Sequence, residues 1–319
     1  MKTLACAFAL ACLGTAHAQT KWDLPSGYGG NTFHVQNLEW FAQEVDRATA
    51  GKLKITVHPN ASLFKANEIK RAVQTGQTQI GEFILSGAAN ENPLFGVDSV
   101  PFLATTYAES KKLDTASRPA LERLLASQGM KLLYAVPWPG QSLYSKKPVA
   151  ALADLKGTKM RAYNPATTRI AELVGAQPVT IQLAELPQAL ATGGVDNFLT
   201  SSASGVDSKL HEQVKYFYDV SAWLPRNALV VNQKAFDALD KSAQAAVLKA
   251  AGDASERGWK TSEQKDNEYL KELAAKGMTV DRSNAKLKGE LKAIGDRMTA
   301  EWLKQAGADG QAIVDAYRK

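Results

Sequence analysis

Arg161 holds the position in this chain where charge is hardest to explain by solvation alone. The octet GTKMRAYN, residues 157–164, opens on a glycine and runs through an apolar-basic stretch that reads as a short strand, with Arg161 where that strand should stop. Tyr163, Asn164 and Pro165 then read as a turn opening a helix, proline being suited to the first helical position. A guanidinium at the end of an inner strand has two uses. It can pair with an Asp or Glu of the protein itself, or it can grip a carboxylate brought by a ligand, two parallel charge-assisted bonds fixing orientation as well as energy. Residue type alone leaves both readings open.

Other chemistry-bearing patterns are sparse. The histidines are His17, His34, His58 and His211, and none shows HxxxH or HExxH spacing. No G-x-S-x-G elbow and no P-loop occurs, and GYGGN (residues 27–31) lacks the G-x-G-x-x-G spacing, so it reads as a glycine-rich turn. Both cysteines, Cys6 and Cys12, fall in the first 18 residues. That stretch has one lysine, an apolar run too short to span a bilayer, and Ala16-His17-Ala18, the pattern of a secretory leader with cleavage expected after Ala18. The mature chain would then have no cysteine, so neither a disulfide nor a thiol nucleophile is available, and the core alone must hold the fold. A soluble periplasmic protein is expected. The formal net charge of +6 comes from lysines scattered among acids, as in KTSEQKDNEYLKELAAK, which is a solvated face rather than a nucleic-acid stripe.

The elements that must position Arg161 follow a strand-then-helix order. TKWDLPS, KLKITVHP, QIGEFILS and MKLLYAVPWP read as strands, with helices expected over residues 34–51, 65–76 and 106–129. The pattern repeats with TKMRAYN, PVTIQL and VDNFLTSS as strands around the helices PATTRIAELVGAQ and AELPQALATGG. KYFYDVSAWLPRNALVVN reads as two strands bent at Pro225, and from Phe236 onward the chain is nearly all helix, one of them long enough to bridge two bodies. This predicts an α/β protein, a two-lobed periplasmic binding fold of the type II-like, venus-flytrap kind with a long lobe-bridging helix. Lobe I is expected to comprise 19–138 plus 227–266, and lobe II 139–226 plus 267–319.

In the stretch 154–196, Asp154, Leu155, Lys156, Gly157, Lys159 and Arg161 fit a pattern D-L-K-G-x-K-x-R, and Gly175, Ala176, Pro178, Glu185, Ala189, Leu190, Gly194, Val195 and Asp196 continue it. With these residues the stretch resembles the solute-binding subunit of tripartite ATP-independent periplasmic (TRAP) transporters, the DctP family. Fainter likeness covers the rest of the mature chain. The resemblance implies a receptor for small organic carboxylates working with TRAP membrane permease subunits, with no cofactor, and with Arg161 on the ligand carboxylate. No sequence cluster requires a metal. Gln141 stands where sialic-acid-binding members carry a second arginine. Thr200, with Ser201 and Ser202 beside it, stands where many members have an asparagine. Both departures point to a small monocarboxylate.

Further wall residues are expected at Tyr28 and Asn31 on the glycine-rich turn, Phe83 and Ser86 on QIGEFILS, and Trp138 and Trp223 near the crossings between lobes. Such a wall fits an acid with a flat, apolar or cyclic body: an aromatic 2-oxo or 2-hydroxy acid, or a small cyclic acid such as pyroglutamate. The rival readings are a periplasmic enzyme acting on a carboxylate and a receptor serving a sensor kinase.

Overall fold

The computed structural model describes residues 19–319. The leader expected at 1–18, with both cysteines, lies outside the described residues. The chain starts with β1 (Thr20–Pro25), α1 (Phe33–Ala48), β2 (Leu53–His58), α2 (Ile69–Gln74), β3 (Ile80–Ile84), α3 (Tyr107–Ser127) and β4 (Met130–Pro137). It continues through β5 (Ser142–Ser145), β6 (Lys159–Ala162), α4 (Pro165–Leu173), β7 (Gln177–Thr180), α5 (Leu186–Ala191), β8 (Asn197–Thr200), α6 (Ser202–Asp207) and β9 (Tyr216–Tyr218). Last come β10 (Arg226–Asn232), α7 (Gln233–Asp237), α8 (Lys241–Ala275), β11 (Thr279–Asp281) and α9 (Ala285–Arg318).

These elements build two α/β lobes. In the first, β10 pairs antiparallel with both β3 and β4, and the parallel ribbon β1–β2 lies alongside β3. α1 covers this sheet because its apolar positions Val35, Leu38, Phe41 and Val45 recur at helical spacing, and its first turn is capped by Thr32, whose Oγ1 accepts from Val35 N. In the second lobe, six strands take the order β11-β9-β5-β8-β6-β7. β6 is flanked on both sides, by β7 and β8, both parallel to it.

α8 joins the two. Its Ala243, Val247, Ala250 and Ala254 pack in the first lobe's core, while Leu270 and Leu273 pack with Phe198 and Phe217 of the second. The expectation that 267–319 belongs wholly to the second lobe does not hold. α9 begins there, with Leu287, Leu291 and Met298 against Ile170 and Leu199. Its far end returns to the first lobe, where Trp302, Ile313 and Val314 cover the apolar face of α3 at Leu113 and Leu121. The four-residue strand β5, the short helix α6 and the interruption of the helical C-terminal region by β11 are further additions to the expected elements.

The chain also crosses between lobes at 138–141 and 219–225, and these crossings run side by side. Trp138 N donates to Pro225 O, Gln141 N to Trp223 O and Ala222 N to Gln141 O, each at 2.8 Å. Gly140 makes this approach possible: a Cβ there would stand 2.2 Å from Ser221 Oγ and 3.1 Å from Ser221 Cα. Gly140→Ala must push the two crossings apart, and overpacking of this kind costs about 1–3 kcal/mol. A melting temperature lowered by several degrees is expected in thermal denaturation, and an unchanged one would show that the crossings are loosely held.

A second sensitive point lies where α6 meets α8. Asn31 Nδ2 of the first lobe donates to Asp207 O at 3.1 Å, while Asp207 Oδ2 is buried without a hydrogen-bond partner. Burial pushes the Asp207 carboxyl up to about 7, with Lys265 pulling the other way. Its stabilising contribution is therefore full below the unfolded value near 4 and is lost as pH rises through about 7. Asp207→Asn is expected to melt a few degrees above the parent at pH 8 and level with it at pH 4, which pH-resolved calorimetry would check.

Candidate ligand-binding site

Gly157, with φ +75°, makes the left-handed turn that aims the chain into β6. At the other end of β6, Asn164 caps α4 by accepting from Thr167 N at 2.8 Å, and Pro165 takes the first helical position. Arg161 is thereby fixed between a sheet interior and a helix start. It is 3% exposed. Its Nε donates to Ile181 O at 2.8 Å, and its guanidinium lies 5.0 Å from the Tyr163 ring centre. Among the described residues no carboxylate forms an ion pair with it. Burial pulls its pKa down to about 10, opposed by Tyr163 and Tyr28, which leaves it a cation at neutral pH.

Arg226 provides the contrast. It is 0% exposed, but its Nε reaches Asp98 Oδ2 at 3.3 Å, its Nη1 bonds Asp114, and its Nη2 bonds Ser117 Oγ at 3.3 Å. One buried arginine is compensated by the protein and the other is not.

Arg161 lines a cavity of about 760 Å³ between the lobes. Tyr28, Glu82 and Phe83 come to it from the first lobe, Tyr163, Thr180, Thr200 and Ser204 from the second, and Trp138, Gln141 and Pro225 from the crossings. Tyr163 OH donates to Gln141 Oε1 at 3.2 Å, and Gln141 Nε2 donates to Pro139 O at 3.2 Å. Tyr28 OH and Trp138 Nε1 share Asn227 Oδ1, at 3.3 and 2.9 Å, and their ring centres stand 5.0 Å apart. Burial raises the pKa of both phenols, Tyr28 with added help from Glu82, so each remains protonated and able to donate.

Of the residues expected at the site, Arg161, Gln141, Thr200, Tyr28 and Phe83 meet at this one cavity, together with Trp138. The others do not line it. Ser86 is buried, and its Oγ accepts from Asn164 Nδ2 at 2.9 Å, a bond that joins the lobes. Asn31 is drawn away to Asp207. Trp223 is fully buried in the second lobe's core beside Tyr163. Tyr163 and Glu82 were missed as wall residues. The signal for Tyr163 was its place two residues beyond Arg161; for Glu82 it was an acid inside the otherwise apolar run IGEFIL.

Two lobes joined by paired crossings, with a buried, uncompensated cation on the wall between them, define a solute receptor of the venus-flytrap class. The bacterial extracellular solute-binding protein family 7 (DctP) matches over residues 28–305, and the chain belongs to that family. DctP6 of Bordetella pertussis, an extracytoplasmic solute receptor binding pyroglutamic acid, is 55% identical to it with a TM-score of 0.92, over 94% of this chain and 99% of that one. DctP7 of the same organism, also a receptor binding pyroglutamic acid, is 48% identical with a TM-score of 0.93, over 94% and 100%. A marine metagenome TRAP solute-binding protein specific for pyroglutamate is 45% identical with a TM-score of 0.92, over 94% and 99%. Among the described residues no helix is long and apolar enough to cross a membrane.

Proposed function

We propose that this chain is a periplasmic receptor that closes on pyroglutamate and delivers it to a TRAP permease. The observation that carries the reading is Arg161, a buried cation on the wall of the interlobe cavity with no acid partner among the described residues. A ligand carboxylate supplies the missing charge through two parallel hydrogen bonds. The rings of Phe83, Tyr28 and Trp138 suit a flat, compact body. The similar receptors named above bind this cyclic acid, and the chain's own wall is compatible with it.

Export rests on the leader read in residues 1–18 and on the extracellular character of the family. The permease partner rests on the family alone. Closure occurs by rotation about the crossings 138–141 and 219–225, and the ligand drives it by binding the closed state better than the open one. The role is capture and release, with no bond made or broken in the ligand.

Calorimetric titration with L-pyroglutamate is the test, after unfolding and refolding to strip co-purified ligand. One-to-one binding and a raised melting temperature are expected. No heat and no thermal shift with pyroglutamate, alongside clear binding of a sugar acid or dicarboxylate, would overturn the ligand assignment. Turnover of the acid on prolonged incubation would overturn the receptor role.

A further inference from the structure

Three acids line the cavity, and of these Glu82 is buried while Glu91 and Glu185 are exposed; the carboxylate clamp does not explain a buried one. Glu82 lies on β3 between Gly81 and Phe83 and is 3% exposed. Ser26 Oγ donates to its Oε2 at 2.7 Å, and His34 Nδ1 lies 3.4 Å from its Oε1. His34 is itself buried against Phe33 and Trp138, with ring centres 4.2 and 4.1 Å away. That burial lowers its pKa, so the imidazole is neutral and brings a donor but no positive charge. Among the described residues neither lysine nor arginine pairs with Glu82. The neighbouring Lys70 is committed to Glu91 at 2.6 Å.

A carboxylate has about four acceptor positions, and these partners fill two of them. The rest belong to a buried anion at a cavity, where an unmet acceptor is costly and a donor is strongly preferred. Glu82 belongs to the first lobe and Arg161 to the second, and the Tyr28 phenol feels the charge of both. The cavity therefore has a buried, unpaired cation on its second-lobe wall and a buried acid on its first-lobe wall, where Lys65 is exposed and Lys70 is held by Glu91. A cyclic acid with a ring N–H meets both: its carboxylate faces the guanidinium and its N–H faces the carboxylate.

We infer that Glu82 is a specificity-determining residue, its carboxylate accepting a hydrogen bond from the ring N–H of the ligand so that the site selects lactam acids over ring acids without that donor. This rests on the pyroglutamate reading and adds to it the atom that is read. The same residue rejects a second carboxylate at that wall, because two anions there lie in a water-poor space without a cation between them. Ser26 and His34 are positioning residues: they hold the Glu82 oxygens in one orientation.

The test compares L-pyroglutamate with its lactone isostere, 5-oxotetrahydrofuran-2-carboxylate, by calorimetry on the mature protein. The two share ring, ring carbonyl and carboxylate, and differ in having N–H or oxygen at one ring position. The parent protein is expected to prefer the lactam by at least ~30-fold, since the lactone sets a lone pair against a buried anion. Glu82→Gln, whose amide can present either a carbonyl or an NH2, should compress that ratio to a few-fold. Equal affinities in the parent protein would overturn the inference without any variant, which covers the case of a variant that does not fold. A Glu82→Gln protein that keeps the parent ratio would overturn it too. Binding of neither acid would bring down the pyroglutamate reading itself, and this inference with it.

Discussion

Arg161→Ala is expected to lose pyroglutamate binding by a factor of roughly 30 to several thousand while leaving the ligand-free protein about as stable as its parent. Removing one partner of a buried, hydrogen-bonded charge pair costs about 2–5 kcal/mol, and each ~1.4 kcal/mol is tenfold in affinity. Most of that range applies here, because the ligand carboxylate would be left inside the cleft without a cation. Stability should move little for the opposite reason. In the ligand-free protein the guanidinium is already desolvated, and its one protein hydrogen bond is from Nε to Ile181 O. Deleting it removes an unfavourable burial along with some packing, and the two offset each other. Arg161→Lys should recover only part of the affinity, since an ammonium cannot match a carboxylate through two parallel bonds. Calorimetry for affinity and a ligand-free melt for stability separate the two effects. A large drop in melting temperature with unchanged affinity would reverse the assignment and make Arg161 structural. Binding by the parent protein should be flat from pH 5 to 8, because Arg161 stays charged until the pH approaches about 10.

The sequence made Arg161 visible because β6 is short and its end is marked. Gly157 and the Asn164-Pro165 pair bracket it, and both are read from backbone chemistry rather than from distant contacts. The alternation of strands and helices was legible for the same reason: apolar positions at spacings of two or about 3.6 report which face is buried. They do not report which neighbour covers that face. The end of α9 shows the consequence, its Ile313 and Val314 giving a clear helical stripe with no sign that the partner is α3 of the other lobe. Strand β5 was hidden because Ser142–Ser145 is four residues long and framed by Pro139-Gly140 and Lys146-Lys147-Pro148, which read as loop. At the site, Ser86 and Asn31 sat on the right elements, but their side chains are taken by Asn164 and by Asp207 O across the cleft. Such pairings depend on how the lobes meet, which no local pattern encodes. Glu82 carried a readable signal, since an acid is rarely tolerated in a buried strand without a partner or a task.

Arg226→Ala should have the reverse profile to Arg161→Ala: a large loss of stability, with ligand contacts untouched in whatever fraction remains folded. Arg226 opens β10 directly after the second crossing. Its backbone N and its Nε both reach Asp98 Oδ2, at 2.9 and 3.3 Å, and its Nη1 and Nη2 bond Asp114 and Ser117 on α3. The residue therefore ties the return strand to α3 and to the 93–99 turn. Truncation leaves Asp98, which is buried, and Asp114 facing each other without a cation, and breaking a buried pair in this way costs about 3–5 kcal/mol. For a chain of about 300 residues, each kcal/mol shifts the melting temperature by roughly 1.5–2 °C, so a fall of about five to ten degrees is expected. The loss comes from stranded charge more than from missing contacts. A neutral replacement of the whole cluster, Arg226→Met with Asp98→Asn and Asp114→Asn, should accordingly recover much of it, because well-packed neutral groups can match a buried ion pair in stability. A single variant melting within a degree or two of the parent would show that the cluster contributes little. The two arginines would then no longer divide the work as their partners indicate, with the compensated one holding the fold and the uncompensated one holding the ligand.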